Sequence, residues 1–138
     1  MRVRLGNETM EATNFYLECF KNKKKPALME NGINSMIWFA PPIKKRLKKE
    51  CVAHTGDYCL CGMAFRKRTR FATWNVDPSR TVTVLNKRCS SKKGICDRTG
   101  QKHIRLKGRD KEGQWMTRSA EAYPWPIAKA IAALLVKK

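Results

Sequence analysis

Apolar residues recur with helical spacing in two segments, one near each end of the chain. The first segment predicts a helix over residues 8–21, which ends in a run of lysines and is stopped by Pro26. The second predicts an Ala-rich helix within residues 124–138, with Pro126 near its start. The apolar face of the first comprises Ala12, Phe15, Tyr16, Cys19 and Phe20, and that of the second Trp125, Ile127, Ile131, Leu134 and Leu135.

The region between these helices shows the shorter patterns that are typical of strands. Continuous apolar or alternating runs predict strands at residues 26–30, 51–59, 66–75 and 81–85, and a short strand at 103–107. In the 66–75 strand, alternation places Phe71, Thr73 and Asn75 on one face and Arg70, Ala72 and Trp74 on the other. Pro41 and Pro42 predict the first turn of a further short helix.

Length and charge narrow the class of protein. A chain of 138 residues is about one domain, which we divide into an α/β part (1–75), a basic, loop-rich β insert (76–113) and a C-terminal strand and helix (114–138). Its 30 basic and 11 acidic residues give a net charge of +19, which favours a polyanionic partner. Apolar residues make up 42% of the chain, enough for a folded core.

The cysteines suggest a metal site. The sequence shows neither a membrane span nor a signal peptide, so we expect an intracellular protein with reduced thiols or metal ligands. Cys89, Cys96 and His103, each separated by six residues, place three zinc-type ligands on a segment poor in hydrophobic groups, although this spacing matches no zinc-finger signature. Either Cys59 or Cys61 could complete the set. The alternative is that these are small buried residues and one ring capped by a backbone carbonyl.

A second candidate site is a basic stripe next to aromatic residues. Arg66, Lys67, Arg68 and Arg70 lie beside Phe65, Phe71 and Trp74, a combination that can bind phosphates and stack on bases. The lysine-rich 87–109 segment would add Lys92, Lys93, Arg98 and Lys102. The alternative is a solvated strand face. The sequence contains no glycine-rich nucleotide-binding loop.

Three short segments, taken in order, resemble the second half of a DNA cytosine-5 methyltransferase. They are LMEN (28–31), DYCLCGMAFRKRTRF (57–71) and AYPWPIAKAIAALL (122–135). The resemblance implies that Glu30 holds a flipped cytosine, that Gly62 precedes the turn, and that Arg68 and Arg70 are the arginine pair near the base. It also implies that the C-terminal helix packs back onto a cofactor domain. Basic domains of this type also resemble parts of viral and mobile-element polyproteins.

The family's other motifs do not occur in this sequence. It has no Phe-x-Gly-x-Gly strand for S-adenosylmethionine and no Pro-Cys catalytic loop, so the cofactor site is not present in this chain. Glu30 would therefore be catalytic only if a partner chain completed the site. The resemblance implies a partial Rossmann-like methyltransferase half-fold, of class α/β, with a small basic, loop-rich Cys/His subdomain.

In such a fold the Glu30 strand lies inside a parallel sheet, and the missing strands leave an open apolar edge. A second chain, a second copy or the 8–21 helix would have to cover this edge.

The leading functional hypothesis is nucleic-acid binding without catalysis, with DNA favoured over RNA. One alternative is a subunit of a split DNA cytosine-5 methyltransferase. The other is a zinc-stabilised structural nucleic-acid-binding protein of a virus or mobile element.

Overall fold

The computed structural model describes residues 2–49, 51–77 and 83–136. Its helices are α1 (Arg2–Asn22), α2 (Pro41–Leu47) and α3 (Trp125–Leu135), and its strands are β1 (Ala27–Gly32), β2 (Cys51–Asp57) and β3 (Arg68–Trp74). Short 3-10 turns occupy Met36–Phe39, Tyr58–Cys61, Thr83–Asn86, Lys92–Gly94 and Met116–Ala120. The described chain is therefore a mixed α/β structure.

The two terminal helices confirm the predictions from periodicity, although α1 begins earlier than the pattern indicates. It starts at Arg2, and an i,i+4 ion pair of 2.8 Å between Arg4 and Glu8 stabilises the part of the helix that precedes the predicted start. The described part of the chain contains no helix that is both long and apolar enough to cross a membrane.

The sheet is antiparallel, with strand order β1-β3-β2. The parallel arrangement implied by the methyltransferase resemblance is therefore wrong for these three strands. The reason lies in the connection: a parallel pair needs a crossover of a dozen or more residues, usually a helix. Residues 58–67, which join β2 to β3, contain only one 3-10 turn, and they return the chain as an antiparallel neighbour.

Two hydrophobic cores lie on opposite faces of β3, as its alternation predicts. Phe71 belongs to the core formed with Tyr58, Leu85 and Ile127, which joins the sheet to α3. Ala72 and Trp74 belong to the other core, formed with Leu17 of α1 and with Trp38 and Ile43. Each strand of this small sheet thus contributes apolar side chains to a covered face.

Three further strand predictions are wrong where the structure describes them. Residues 81 and 82 lie outside the described residues, and Thr83–Asn86 form a 3-10 turn. The 103–107 segment forms no strand, and the nearest pairing is an isolated bridge between Ile95 and Lys102. In the 114–138 segment, Trp115 makes only one bridge, to Arg109, before the 3-10 turn.

The physical reason is shared by these segments. Strand propensity measures how well a side chain fits a pleated, half-buried surface, and none of the three segments pairs as a strand with β1, β2 or β3. Leu85 instead buries its side chain completely from a turn.

Candidate functional site

Four metal-ligating side chains meet beside the end of β2. The ligand atoms of Cys59, Cys89, Cys96 and His103 all lie within 4.8 Å of one another. Tetrahedral zinc with bonds of about 2.0–2.3 Å would place its ligand atoms roughly 3.5–3.8 Å apart. The Cys89 Sγ and His103 Nε2 atoms are 3.7 Å apart, so this pair has the spacing of two ligands of a tetrahedral zinc ion.

The sequence predicted three of these residues and left the fourth open between two cysteines. The structure places Cys59 in the cluster, whereas Cys61 is part of the hydrophobic core around Tyr58. Both cysteines lie in the 3-10 turn Tyr58–Cys61, and the turn directs them to different surroundings.

A small hairpin brings Cys96 and His103 together. The Cys96 N–H donates to the Gln101 carbonyl at 2.8 Å, and the His103 N–H donates to the Gly94 carbonyl at 3.0 Å. Gly94 and Gly100 have positive φ angles of 78° and 68°, which glycine adopts without a steric penalty. The backbone of this hairpin therefore fixes two ligands without the help of a hydrophobic core.

Asp57 attaches the cluster to the sheet. Its side chain is buried, and its Oδ2 atom accepts hydrogen bonds from the Cys89 N–H at 2.8 Å and from Arg68 at 2.7 Å. Arg68 also donates to the Cys89 carbonyl at 3.0 Å. The Arg98 Nε–H also donates to the Cys59 carbonyl at 2.7 Å. The loop that carries Cys89 and Cys96 is thus bonded to β2 and β3 through Asp57 and Arg68, and to the turn after β2 through Arg98.

The histidine is oriented for coordination through one ring nitrogen. His103 Nδ1 is 3.0 Å from the Gly94 carbonyl oxygen and 3.3 Å from Ser91 Oγ. Because a carbonyl can only accept, this contact favours the tautomer with the proton on Nδ1 and leaves the Nε2 lone pair facing Cys89. A backbone carbonyl on the far nitrogen is a common second contact of zinc-binding histidines.

The thiols differ in their protonation. Burial raises the pKa of Cys59, and its contacts with Cys89 raise it further. Burial also acts to raise the pKa of Cys96, but hydrogen bonds from the Arg98 and Thr99 N–H groups outweigh it and lower the pKa to about 6. One thiolate is therefore stabilised by the fold, whereas a bound cation would be needed to keep Cys59 deprotonated as well.

The segment that supplies three of the ligands is strongly basic. We name residues 87–107 the basic knuckle. It has one acidic residue, Asp97, whose carboxylate accepts hydrogen bonds from Ser90 N at 2.5 Å and Ser90 Oγ at 2.6 Å. Its exposed basic residues are Lys87, Arg88, Lys92, Lys93, Arg98, Lys102, Arg105 and Lys107. The predicted nucleic-acid contacts Lys92, Lys93, Arg98 and Lys102 all lie exposed on this segment, and the Arg98 Nε–H is engaged by the Cys59 carbonyl.

The basic stripe at the start of β3 is less available for binding nucleic acid than the basic knuckle is. Arg66 is exposed, but Arg68 is engaged by Asp57, and the Arg70 guanidinium lies 5.4 Å from the centre of the Trp38 ring. Lys67 donates to the Ala120 carbonyl at 3.2 Å and lies 4.8 Å from the centre of the Tyr58 ring. Three of the four predicted contacts therefore bind other parts of the protein.

Glu30 is also engaged within the protein. Its Oε1 atom lies 3.5 Å from Lys67 Nζ, and its Oε2 atom accepts a hydrogen bond from the Tyr123 hydroxyl at 3.2 Å. Glu30 pairs with Phe71 across the sheet, so its side chain shares the face of Phe71, opposite the face of Arg70. The structure brings Glu30 next to Lys67 and does not bring it next to Arg70.

Comparisons with protein-family models, with curated proteins and with solved structures find no match to this chain.

Sequence reasoning missed Asp57 as part of the site. It appears in the sequence as a single acidic residue at the end of a strand, and its contacts with Cys89 and Arg68 span 32 and 11 residues of chain. No local pattern signals such a contact. A weak clue is that a carboxylate within the predicted 51–59 strand needs a cationic partner if it is buried.

Proposed function

We propose that this protein binds nucleic acid through the basic knuckle, and that a zinc ion bound by Cys59, Cys89, Cys96 and His103 holds the knuckle in shape. One observation carries the proposal. The loop that contributes three metal-ligating side chains also presents eight exposed cations, and its single carboxylate is hydrogen bonded to Ser90. A bound ion would therefore fix the positions of a dense set of phosphate-binding groups.

The ligand set supports zinc. Three thiols and one imidazole match the composition of closed structural zinc sites, in which all four positions are occupied by protein ligands. The knuckle has few hydrophobic groups, so metal bonds would replace a missing core. Stoichiometric zinc that survives dialysis, and is lost in Cys96→Ser, would support this part of the proposal. A fully folded, metal-free preparation would contradict it.

Phosphate contacts should dominate the affinity. Lysine and arginine side chains that neutralise phosphates release counterions, so the binding constant falls steeply with salt, with a log–log slope of about −0.9 per phosphate on duplex DNA. DNA is the first ligand to test, and RNA of the same length is the second.

The decisive experiment reverses charge at two matched places. Lys92→Glu with Lys93→Glu alters the knuckle, and Lys44→Glu with Lys45→Glu makes the same change in net charge on α2, where both lysines are exposed. We expect the knuckle variant to bind at least about tenfold more weakly and its salt slope to be shallower by up to roughly 2, with a much smaller change in the α2 variant. Equal losses in both variants would show diffuse binding and overturn the proposal.

Descent from a cytosine methyltransferase, with a partial Rossmann-like half-fold, stays a hypothesis outside this proposal. The antiparallel sheet and the contacts of Glu30 with Lys67 and Tyr123 give it no support. The split-enzyme alternative has its own test. Methyl transfer by a reconstituted pair should be abolished in Glu30→Ala, and transfer that survives the substitution would remove Glu30 from the catalytic role.

A further inference from the structure

A tight hairpin over residues 108–116 presents one tryptophan to solvent. The Met116 N–H donates to the Gly108 carbonyl at 3.0 Å, and the Asp110 N–H donates to the Gln114 carbonyl at 2.8 Å. Asp110 Oδ1 also accepts from the N–H groups of Glu112 at 3.0 Å and Gln114 at 2.8 Å. These bonds close the turn, so the position of the next residue, Trp115, is well defined.

Trp115 is largely exposed to solvent. Its relative exposure is 59%, whereas Trp38 and Trp74 are 2% and 9% exposed in the core. The Arg109 guanidinium lies 4.7 Å from the centre of the Trp115 ring, and its NH1 group donates to the Gly113 carbonyl at 3.0 Å. Arg109 therefore supports the indole and brings a positive charge beside it.

A cavity adjoins the indole. Its volume is about 350 Å³, and it is lined by Trp115 and by Asp110, Gln114, Met116, Arg118 and Ser119. Arg118 is exposed, and its NH1 group donates to Gln114 at 3.1 Å. The cavity thus combines a flat aromatic wall, hydrogen-bonding groups and a guanidinium that could reach a phosphate.

We propose that Trp115 and this cavity bind an unpaired base of a single-stranded polynucleotide. The inference rests on the proposed function and adds the kind of nucleic acid that is bound. Aromatic side chains stack on bases of any sequence, and arginines beside them bind the backbone. Bases inside a duplex are already stacked on both faces and are not available to the indole.

The experiment compares single strands with duplex. The probes are a fluorescently labelled DNA single strand, an RNA single strand and a blunt DNA duplex, all of the same length and at the same salt concentration. Trp115→Ala removes the stacking surface, and Trp115→Phe retains a smaller one. Trp125→Ala is the matched control, because Trp125 is 75% exposed at the start of α3, away from the hairpin sequence.

We expect Trp115→Ala to weaken single-strand binding about 5- to 100-fold. Duplex binding and the salt slope should stay within experimental error, Trp115→Phe should recover much of the loss, and Trp125→Ala should bind normally. Circular dichroism checks that the variants are folded. Loss on only the DNA or only the RNA strand would identify the sugar that the site prefers and would support the proposal.

Two results separate this inference from the proposed function. If the wild-type protein binds both probe types with a salt-dependent affinity but Trp115→Ala alters neither, the base site is wrong and the knuckle proposal stands. If the wild-type protein binds none of the probes at low salt, both are wrong. Equal losses in Trp115→Ala and Trp125→Ala would also overturn the assignment to this cavity.

Discussion

At the scale of single residues, Asp57 shows how the site depends on one buried charge. The carboxylate is fully buried but has three hydrogen-bond donors, two from Arg68 and one from the Cys89 backbone. Arg68 cannot then contribute much to phosphate binding, although the sequence suggested that role. The hydrogen bond and charge of Asp57 raise the pKa of Arg68, against the opposing effect of burial.

Asp57→Asn should therefore destabilise the protein by roughly 2–4 kcal/mol, because it leaves a partly buried guanidinium without its counter-charge. The measurement is urea-induced unfolding followed by circular dichroism. Glu11→Gln is the control, since that carboxylate is exposed on α1 and its loss should change the free energy of unfolding far less. A loss for Asp57→Asn as small as that of the control would show that the pair contributes little.

His54 is a second single residue with a testable effect: it makes the stability of the fold depend on pH. It is buried in β2, and burial lowers its pKa from 6.5. Below pH 6.5 the unfolded chain therefore binds more protons at this residue than the folded chain does. The contribution of neutral His54 to the free energy of unfolding is fully present above pH 6.5 and is lost as the pH falls below that value.

We expect NMR titration to show the His54 imidazole protonating below pH 6.5, and His54→Gln to flatten the stability profile between neutral and mildly acid pH. A titration midpoint at or above the ordinary value would contradict the burial argument.

At the scale of elements, the sequence predicted the helices and strands whose hydrophobic pattern lies within a short stretch of chain. The helices at both ends and the alternation of β3 depend on side chains within a few residues of each other, and these predictions are confirmed. The antiparallel pairing of β1 with β3 and the turn at Thr83–Asn86 depend on contacts across the chain. The parallel sheet implied by the resemblance was therefore wrong for these strands, and the 81–85 strand was wrong where the structure describes it. For the same reason, the sequence pointed to three residues of the Cys/His cluster, while the choice of Cys59 over Cys61 needed the fold.

At Gly56, β2 lies very close to the 3-10 turn Thr83–Asn86, which occupies part of the predicted 81–85 strand. A Cβ atom at this position would lie 2.8 Å from the Leu85 carbonyl oxygen, so the 3-10 turn can pack on β2 only where a side chain is absent. Gly56→Ala should therefore destabilise the protein by about 1–3 kcal/mol.

Gly32→Ala is the matched control in β1, because a Cβ there meets nothing within 4 Å and the φ angle is not positive. It should change the free energy of unfolding by less than about 0.5 kcal/mol, or stabilise slightly. Equal effects of the two substitutions in thermal or urea unfolding would show that the turn can move away from β2.

At the scale of the whole molecule, the chain has two kinds of interior. The sheet is covered by two hydrophobic cores, one on each face, whereas the knuckle encloses a small cluster of three buried cysteines with Leu60 beside it. With a net charge of +19, self-repulsion acts against compact structure most strongly where basic residues are densest. The knuckle is such a region, so the zinc ion and the polyanion that we propose for it should stabilise the knuckle more than they stabilise the sheet.

Removal of the metal tests this division. After chelation, we expect the Cys96, Gly100 and His103 amides, which donate hydrogen bonds within the knuckle, to lose protection from hydrogen exchange. The amides of central β3 should keep theirs, because the two hydrophobic cores remain, and nucleic-acid affinity should fall. Cys59→Ser should reproduce the chelated state, and Cys61→Ser should retain zinc because it lies in the hydrophobic core. Uniform loss of protection would show that the ion stabilises the whole fold, and unchanged protection would show that the cluster needs no ion.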